Sequence, residues 1–237
     1  MHPPVLPTAP AGVVEETLGV AALLAACGGF LDAFTYLGHG HVFANAMTGN
    51  VVLLGVDAAT GRWSESFDHL RPILAFLFGV AVAQGFRLPR FRRWIPEAPI
   101  AALTLEIVSL LIGGWFPKGV AGTPLVLGIS FVAALQSSTF RKAAGFNYNS
   151  TMTTSNLRIF GEAVFQRVFN SGGIAAFEKA RTFGVICLAF LAGAILGGVC
   201  TAQLDNRALW IVDALLAALW VRLFVALRFS QQQGTAR

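Results

Sequence analysis

Residues 18–60 read LGVAALLAACGGFLDAFTYLGHGHVFANAMTGNVVLLGVDAAT. The first part of this stretch, Leu18–Gly38, carries one charged residue, Asp32, in an otherwise apolar run. A helix needs about 20 mostly apolar residues to cross the hydrocarbon core of a bilayer. Leu18–Gly38 meets that length. Further runs approach it at Leu70–Leu88, Ala98–Phe116, Pro124–Phe140, Phe183–Ala202 and Leu209–Leu227. Pro72 and Pro124 fall where helices are expected to start, and there a missing N–H costs nothing.

The composition agrees with these runs. Of 237 residues, 55% are hydrophobic and only 12% are charged. Soluble domains carry about 25% charged residues. So few polar side chains cannot cover a water-facing surface, which points to lipid as the covering. The net charge is +5, but the Lys and Arg residues lie in the gaps between apolar runs rather than in a basic stripe. That placement excludes a nucleic-acid surface and fits a membrane protein. Cys27, Cys187 and Cys200 fall inside apolar runs without CxxC spacing, so they read as small packing residues. Residues 1–17 hold Pro3, Pro4, Pro7 and Pro10 and lack the positive start of a signal peptide, so they read as a disordered tail.

Two stretches have helical length but more polar character, Val42–Thr60 and Phe146–Val164. If both crossed, there would be eight spans. The distribution of cations decides the count. With six spans, Arg87, Arg90, Arg92, Arg93, Arg141, Lys142, Arg158, Arg167, Lys179, Arg181, Arg228 and Arg237 share one side. Only Arg62, Arg71, Lys118 and Arg207 face the other. Eight spans nearly erase that bias. The expectation is six crossings, with both termini on the cytoplasmic side of a bacterial inner membrane. The two polar stretches are then re-entrant, interfacial or lodged inside the bundle. One membrane domain covers 18–228, and a short tail follows from 229 to 237.

An internal repeat underlies the pattern. Thr48-Gly49-Asn50 is followed by Gly55, as Thr154-Ser155-Asn156 is followed by Gly161. Leu74–Gly79 matches Leu188–Gly193, and Glu106 falls near the position of Asp213. Each half, 18–116 and 124–227, holds three crossings. An odd number flips the second half, so the halves are expected to be inverted about an axis in the membrane plane. The expected fold class is an all-α polytopic bundle of this kind.

Gly29-Phe30-Leu31-Asp32-Ala33, the run Val42–Asn50 and Gln136 resemble the YoaK family of bacterial membrane proteins. The resemblance spans about residues 18–228. Thr153-Thr154-Ser155-Asn156 is a weaker echo in the second half. It implies a multi-spanning fold and brings no substrate or reaction with it.

Polar residues inside apolar helices are the candidate pathway. Asp32 needs a partner or a water-filled cavity, because a carboxylate at the bilayer centre costs about 2.5–3.5 kcal/mol on insertion scales. It reads as a proton or cation site or as a hydrogen-bond anchor. Glu106 and Asp213 are expected to face each other across the repeat axis, in a coupling role or as inter-helix hydrogen-bond partners. Asn45, Thr48, Gly49 and Asn50 supply amides, a hydroxyl and a close-approach backbone, with Asp32 expected beside them on one polar cavity. Thr154 and Asn156 repeat that set, and Gln136 adds an amide facing protein. Such groups line a solute path or join packed helices. Gly193 with Gly197, and Gly79 with Ala83, suit close packing within one chain or in a homo-oligomer. His39 and His41 lack further ligands for a metal.

A permease for a small solute or proton follows most directly from these features. A non-transporting scaffold or regulator of a membrane complex is the alternative. An intramembrane enzyme would need a catalytic constellation, and none is recognisable. Nothing in the sequence calls for a cofactor.

Overall fold

The computed structural model describes residues 16–86, 88, 90, 97–117, 122–151, 153–169 and 173–235. The expected tail over 1–17 lies almost wholly outside these residues, as do Arg87, Arg92, Arg93, Lys118 and Arg237. Helices α1 (Leu18–Gly38), α2 (Met47–Ala59), α3 (Trp63–Phe86) and α4 (Ala98–Trp115) form the first half. In the second half α5 (Gly122–Thr139) is followed by a short hairpin of β1 (Lys142–Ala143) and β2 (Phe146–Asn147). Then come α6 (Thr153–Phe169), α7 (Gly173–Leu204), a 3-10 turn (Asp205–Ala208) and α8 (Leu209–Thr235).

Four stretches among the described residues are long and apolar enough to cross a bilayer. They are Leu18–Gly38, Trp63–Phe86, Ala98–Trp115 and Gly173–Phe229, the last joining α7, the 3-10 turn and α8. On α7, Leu188, Leu191, Ile195 and Val199 are apolar and exposed, the outer surface of a protein covered by lipid.

Helix limits differ from the apolar runs where polar turns extend them. Pro72, expected at a helix start, lies inside α3, which begins at Trp63. The added turns hold Ser64, Glu65 and Asp68, which hydropathy leaves out, yet Ser66 N bonds Arg62 O at 3.0 Å and the Ser66 hydroxyl reaches Leu54 O at 3.1 Å. α7 likewise starts at Gly173 through the charged stretch Glu178–Arg181, and α8 runs past the expected tail boundary to Thr235.

The helices pack in pairs. α1 lies along α7, and α5 lies along α3. α2 packs on α3, and α6 on α7. α4 packs on α8. Exchanging first-half helices for their second-half counterparts maps each of these pairings onto another or onto itself.

The directions alternate. Ala26 of α1 meets Gly193, Phe30 meets Gly197 and Gly38 meets Thr201, so α1 and α7 are parallel. Gly79 of α3 meets Phe131 and Ala134 of α5, and Ala83 packs near Leu135, so these two are also parallel. Gly122, at the start of α5, lies beside His39 at the end of α1, so α5 opposes α1. Trp220 Nε1 bonds Thr104 Oγ1 at 2.9 Å and Asn206 Nδ2 bonds Phe116 O at 3.0 Å, so α8 opposes α4. Gly113 of α4 meets Leu125 of α5, so these two are also antiparallel. The sequence α1, α3, α4, α5, α7, α8 therefore reverses direction at every step.

Both polar connections double back. After α1 the chain returns into the bundle, where Asn45 Nδ2 donates to Gly28 O at 3.1 Å, and α2 leads back out to the start of α3. After α5 the chain passes through the hairpin and reaches Gly28 from the opposite end, where Ser150 O lies 3.4 Å from the place a Cβ on Gly28 would take. α6 then leads out again. The two short helices are peripheral rather than lodged inside: α2 buries Asn50 and Asp57 and exposes Val51, Val52 and Val56.

Between apolar helices in lipid, attraction comes from close packing rather than from water exclusion. A Cβ on Gly193 or Gly79 would strike a backbone carbonyl of the facing helix, which no side-chain rotation relieves. Gly193→Leu is expected to destabilise the protein by at least the ~1–3 kcal/mol typical of overpacking, read as a lower thermal unfolding temperature in detergent. A Cβ on Gly128 meets nothing within 4 Å, so Gly128→Leu is expected to leave that temperature unchanged. Equal behaviour of the two variants in a melting experiment would refute the close α1–α7 approach.

Candidate functional site

The turn before α2 is held from two sides. Its N–H groups have no cap of their own, because Ala46 stands at the N-cap position. Asp32 of α1 supplies what is missing: Oδ1 accepts from Asn45 N at 2.7 Å and from Ala46 N at 3.2 Å. A carboxylate there also complements the positive end of the α2 dipole. Thr35 Oγ1 accepts from Ala44 N at 3.2 Å and donates to Leu31 O at 3.0 Å. Asn50, fully buried, reaches back one connection: Oδ1 accepts from Phe43 N at 2.9 Å and Nδ2 donates to Phe43 O at 2.6 Å. Gly49 leaves room for the Phe43 ring.

The second half uses the same device. Asn156 Nδ2 donates to Asn149 O at 2.8 Å, the counterpart of the bond from Asn50 to Phe43. Asn149 Oδ1 accepts from Thr151 N and Thr151 Oγ1, both at 2.9 Å. The counterpart of Asp32 is missing, since Gly122–Thr139 contains no acid. Thr48 and Thr154 both face outward. Asp32 and Asn50 therefore meet on the Phe43–Ala46 turn by direct bonds, and Thr48 points away from it.

A second group forms where α1, α4, α5 and α8 meet. Glu106 is only 1% exposed. Gln136 Nε2 donates to both its oxygens, at 3.0 and 2.9 Å. Ser150 Oγ donates to Gln136 Oε1 at 3.4 Å, which fixes the orientation of the amide. Asp213 lies on α8, which packs against α4. Both Asp213 oxygens are buried without a hydrogen-bond partner among the described residues. Asn45, Gly28, Ser150, Gln136 and Glu106 thus form a polar belt through the bundle, with Asp32 beside Asn45.

The ends of the bundle differ. At the His39 end a cavity of about 260 Å³ is lined by His39, Val42, Asp68, Arg71, Thr123 and Val126. At the hairpin end the matching space between the start of α1 and the start of α7 is filled. Ala143, Phe146 and Tyr148 pack there with Ala21, Ala25, Phe183 and Ile186. Ala144 N donates to Glu16 O at 2.5 Å and Lys142 Nζ pairs with Glu16 Oε1 at 3.3 Å. Burial pushes the Tyr148 hydroxyl up from its ordinary value. Positive φ at Ala144 (49°) and Gly145 (83°) closes the tight turn.

One cluster went unread in the sequence. Asp57, 7% exposed, is paired with Arg62 through Nε at 3.0 Å and through Nη2, and with His69 Nε2 at 3.3 Å. A lone acid in the apolar stretch Val51–Ala59, followed by Arg62, was the available signal. The cluster ties the end of α2 to α3.

Helices with apolar outer faces, two doubled-back segments and buried acids define a multi-spanning helical membrane protein. The chain belongs to the family described as protein of unknown function (DUF1275), whose model matches residues 20–221. It is similar to the UPF0700 transmembrane protein YoaK of Bacillus subtilis (strain 168). The two are 25% identical over 199 residues, covering 82% of this chain and 88% of that relative. No solved structure matches.

Asp32→Leu strands the buried Asn45 amide, a loss of about 1–3 kcal/mol, and the half-buried Ala46 amide. Asp32→Asn keeps an acceptor for them. The expected order of unfolding temperature is wild type, then Asp32→Asn, then Asp32→Leu well below, with Thr48→Val unchanged. If melting curves place Asp32→Leu level with Asp32→Asn, the capping role is wrong.

Proposed function

We propose that the protein is a permease for a small polar solute, built from two inverted three-crossing halves. The observation that carries this reading is the meeting of the two doubled-back segments at Gly28 from opposite ends of the bundle. Broken backbone at that depth is tolerated only where it is enclosed by protein or lines a path. Half-helices that start near the midplane are the common way to place N–H groups and carbonyls on a solute.

Three further features support it. The six long helices alternate in direction, as six crossings require. Pairings are preserved when the halves are exchanged, as an inverted repeat demands. One end holds a cavity while its counterpart is filled by the hairpin and Tyr148. Such an asymmetry between pseudo-equivalent ends is what alternating access produces, with the site kept at the repeat interface. Cations gather at the hairpin end, including Arg141, Lys142, Lys179, Arg181 and Arg228, while Arg62, Arg71 and Arg207 lie at the other. The hairpin end is therefore assigned to the cytoplasm, with both termini there, in the inner membrane.

Two measurements test this. In a cysteine-free background, Ser64→Cys is expected to react with an impermeant thiol reagent from outside intact cells, and Glu178→Cys only after lysis. The reverse pattern overturns the orientation. Proteoliposomes are expected to take up at least one of a panel of small polar solutes, and Gly28→Leu is expected to abolish that uptake. A correctly folded protein that moves no solute across a broad panel favours the scaffold reading instead.

A further inference from the structure

α6 and α7 lie against each other, and a groove of about 570 Å³ runs between them. Phe160 of α6 meets Gly184 of α7 at its floor. Leu157, Val168, Phe177 and Leu188 wall it and are all exposed. Two cations, Arg167 of α6 and Arg181 of α7, line the same groove. The α2–α3 contact of the first half is closed differently. There the Ser66 hydroxyl bonds Leu54 O, and Asp57 joins Arg62 and His69. The ion pairs of α6 and α7, Arg158 with Glu162 and Arg181 with Glu178, each stay within one helix.

The groove is graded along its length. Arg181 is the last charged residue of α7. Thr182–Leu204 follows without charge and spans roughly 34 Å at 1.5 Å per residue, close to the ~30 Å of hydrocarbon in a bilayer. Arg181 therefore stands at the boundary between hydrocarbon and headgroups. Arg167 is in the last turn of α6, which leads out towards that boundary. Leu157 and Leu188 lie deeper, roughly 15 Å and 10 Å along their helices from Arg167 and Arg181. Beyond the arginines, a further space of about 350 Å³ is lined by Arg167, Gly173, Ile174 and Phe177. Neither cation is neutralised. Arg167 has no ion-pair partner among the described residues, and Arg181 is 3.9 Å from Glu178 with both side chains exposed.

We propose that this groove holds one anionic glycerophospholipid of the cytoplasmic leaflet, with an acyl chain over Phe160 and Gly184 and the phosphate on Arg167 and Arg181. From the inside outwards, apolar groove, two guanidinium groups and open space match chain, phosphate and headgroup. A flat apolar face is wetted by any lipid, whereas a groove with two cations at its mouth selects by charge. Guanidinium groups meet phosphate with paired N–H donors. A zwitterionic lipid carries the same phosphate, but its own ammonium offsets it, and a net negative headgroup is drawn to the cationic hairpin end. The leaflet follows from the orientation assigned above. The binding goes beyond the permease reading and does not depend on it.

The test is native mass spectrometry of the purified full-length protein in detergent, titrated with phosphatidylglycerol or with phosphatidylcholine of matched chains. Phosphatidylglycerol is expected to bind on the order of tenfold more tightly. Arg167→Gln combined with Arg181→Gln is expected to remove that preference. Either single substitution, expected to lose part of it, is the substitute if the double variant fails to fold. Arg228→Gln, at the same end but outside the groove, is expected to keep the preference in full. Val164→Trp narrows the groove and is expected to weaken both lipids alike.

Equal binding of the two lipids overturns the proposal, as does a preference that the double variant retains or that Arg228→Gln removes. Full displacement of phosphatidylglycerol by inorganic phosphate assigns the arginines to a free anion and overturns the lipid. A dimer that forms without lipid and that Val164→Trp dissolves seats a second copy of the chain in the groove instead. Solute uptake enters none of these readouts, so the lipid site and the permease reading fail separately.

Discussion

A chain that breaks its helix inside an apolar bundle must find a partner for every N–H and C=O it frees, because lipid offers none. The Phe43–Ala46 turn meets that demand with side chains borrowed from elsewhere. Asp32 and Thr35 reach from α1, and Asn50 reaches back from α2. Once that turn is secured, α2 is held against α3 and the bundle can enclose non-helical backbone at its centre. Asn156 and Asn149 perform the same task at the other end. Much of the remaining architecture is the consequence of having two such enclosed turns.

Close approach of α1 to α7 and of α3 to α5 is the second requirement. Gly193 and Gly79 occupy matching places in the two halves and let a carbonyl of the opposing helix come within contact distance. The result is an exchanged arrangement, in which the first helix of each half is clasped by the third helical segment of the other. Neither half buries its own polar turn alone. The polar belt lies at the interface between the halves.

That belt has unequal members. Asp32 caps through Oδ1, while its Oδ2 is buried without a donor among the described residues. Glu106 is held by an amide that is itself held by Ser150. Asp213 alone among these acids presents both oxygens without a donor among the described residues.

The apolar runs, the cation bias and the paired TGN and TSN motifs were legible in the sequence, because hydropathy, charge placement and repetition are local properties. They announced a membrane bundle and singled out Asp32, Glu106, Gln136 and Asp213. The start of α3 upstream of Pro72 was not legible, since its first turns are polar and helical at once. Nor was the outward aim of Thr48 and Thr154, which depends on how α2 and α6 lie against α3 and α7. The cluster of Asp57, Arg62 and His69 stayed hidden for the same reason. Which of the acids are occupied was settled only by tertiary structure. Sequence spacing placed Asp32 near Asn45, but only the fold set a carboxyl oxygen 2.7 Å from its amide and left both Asp213 oxygens without a donor among the described residues. Partnership between groups far apart in the chain is decided by packing, and packing is not a property of any one segment.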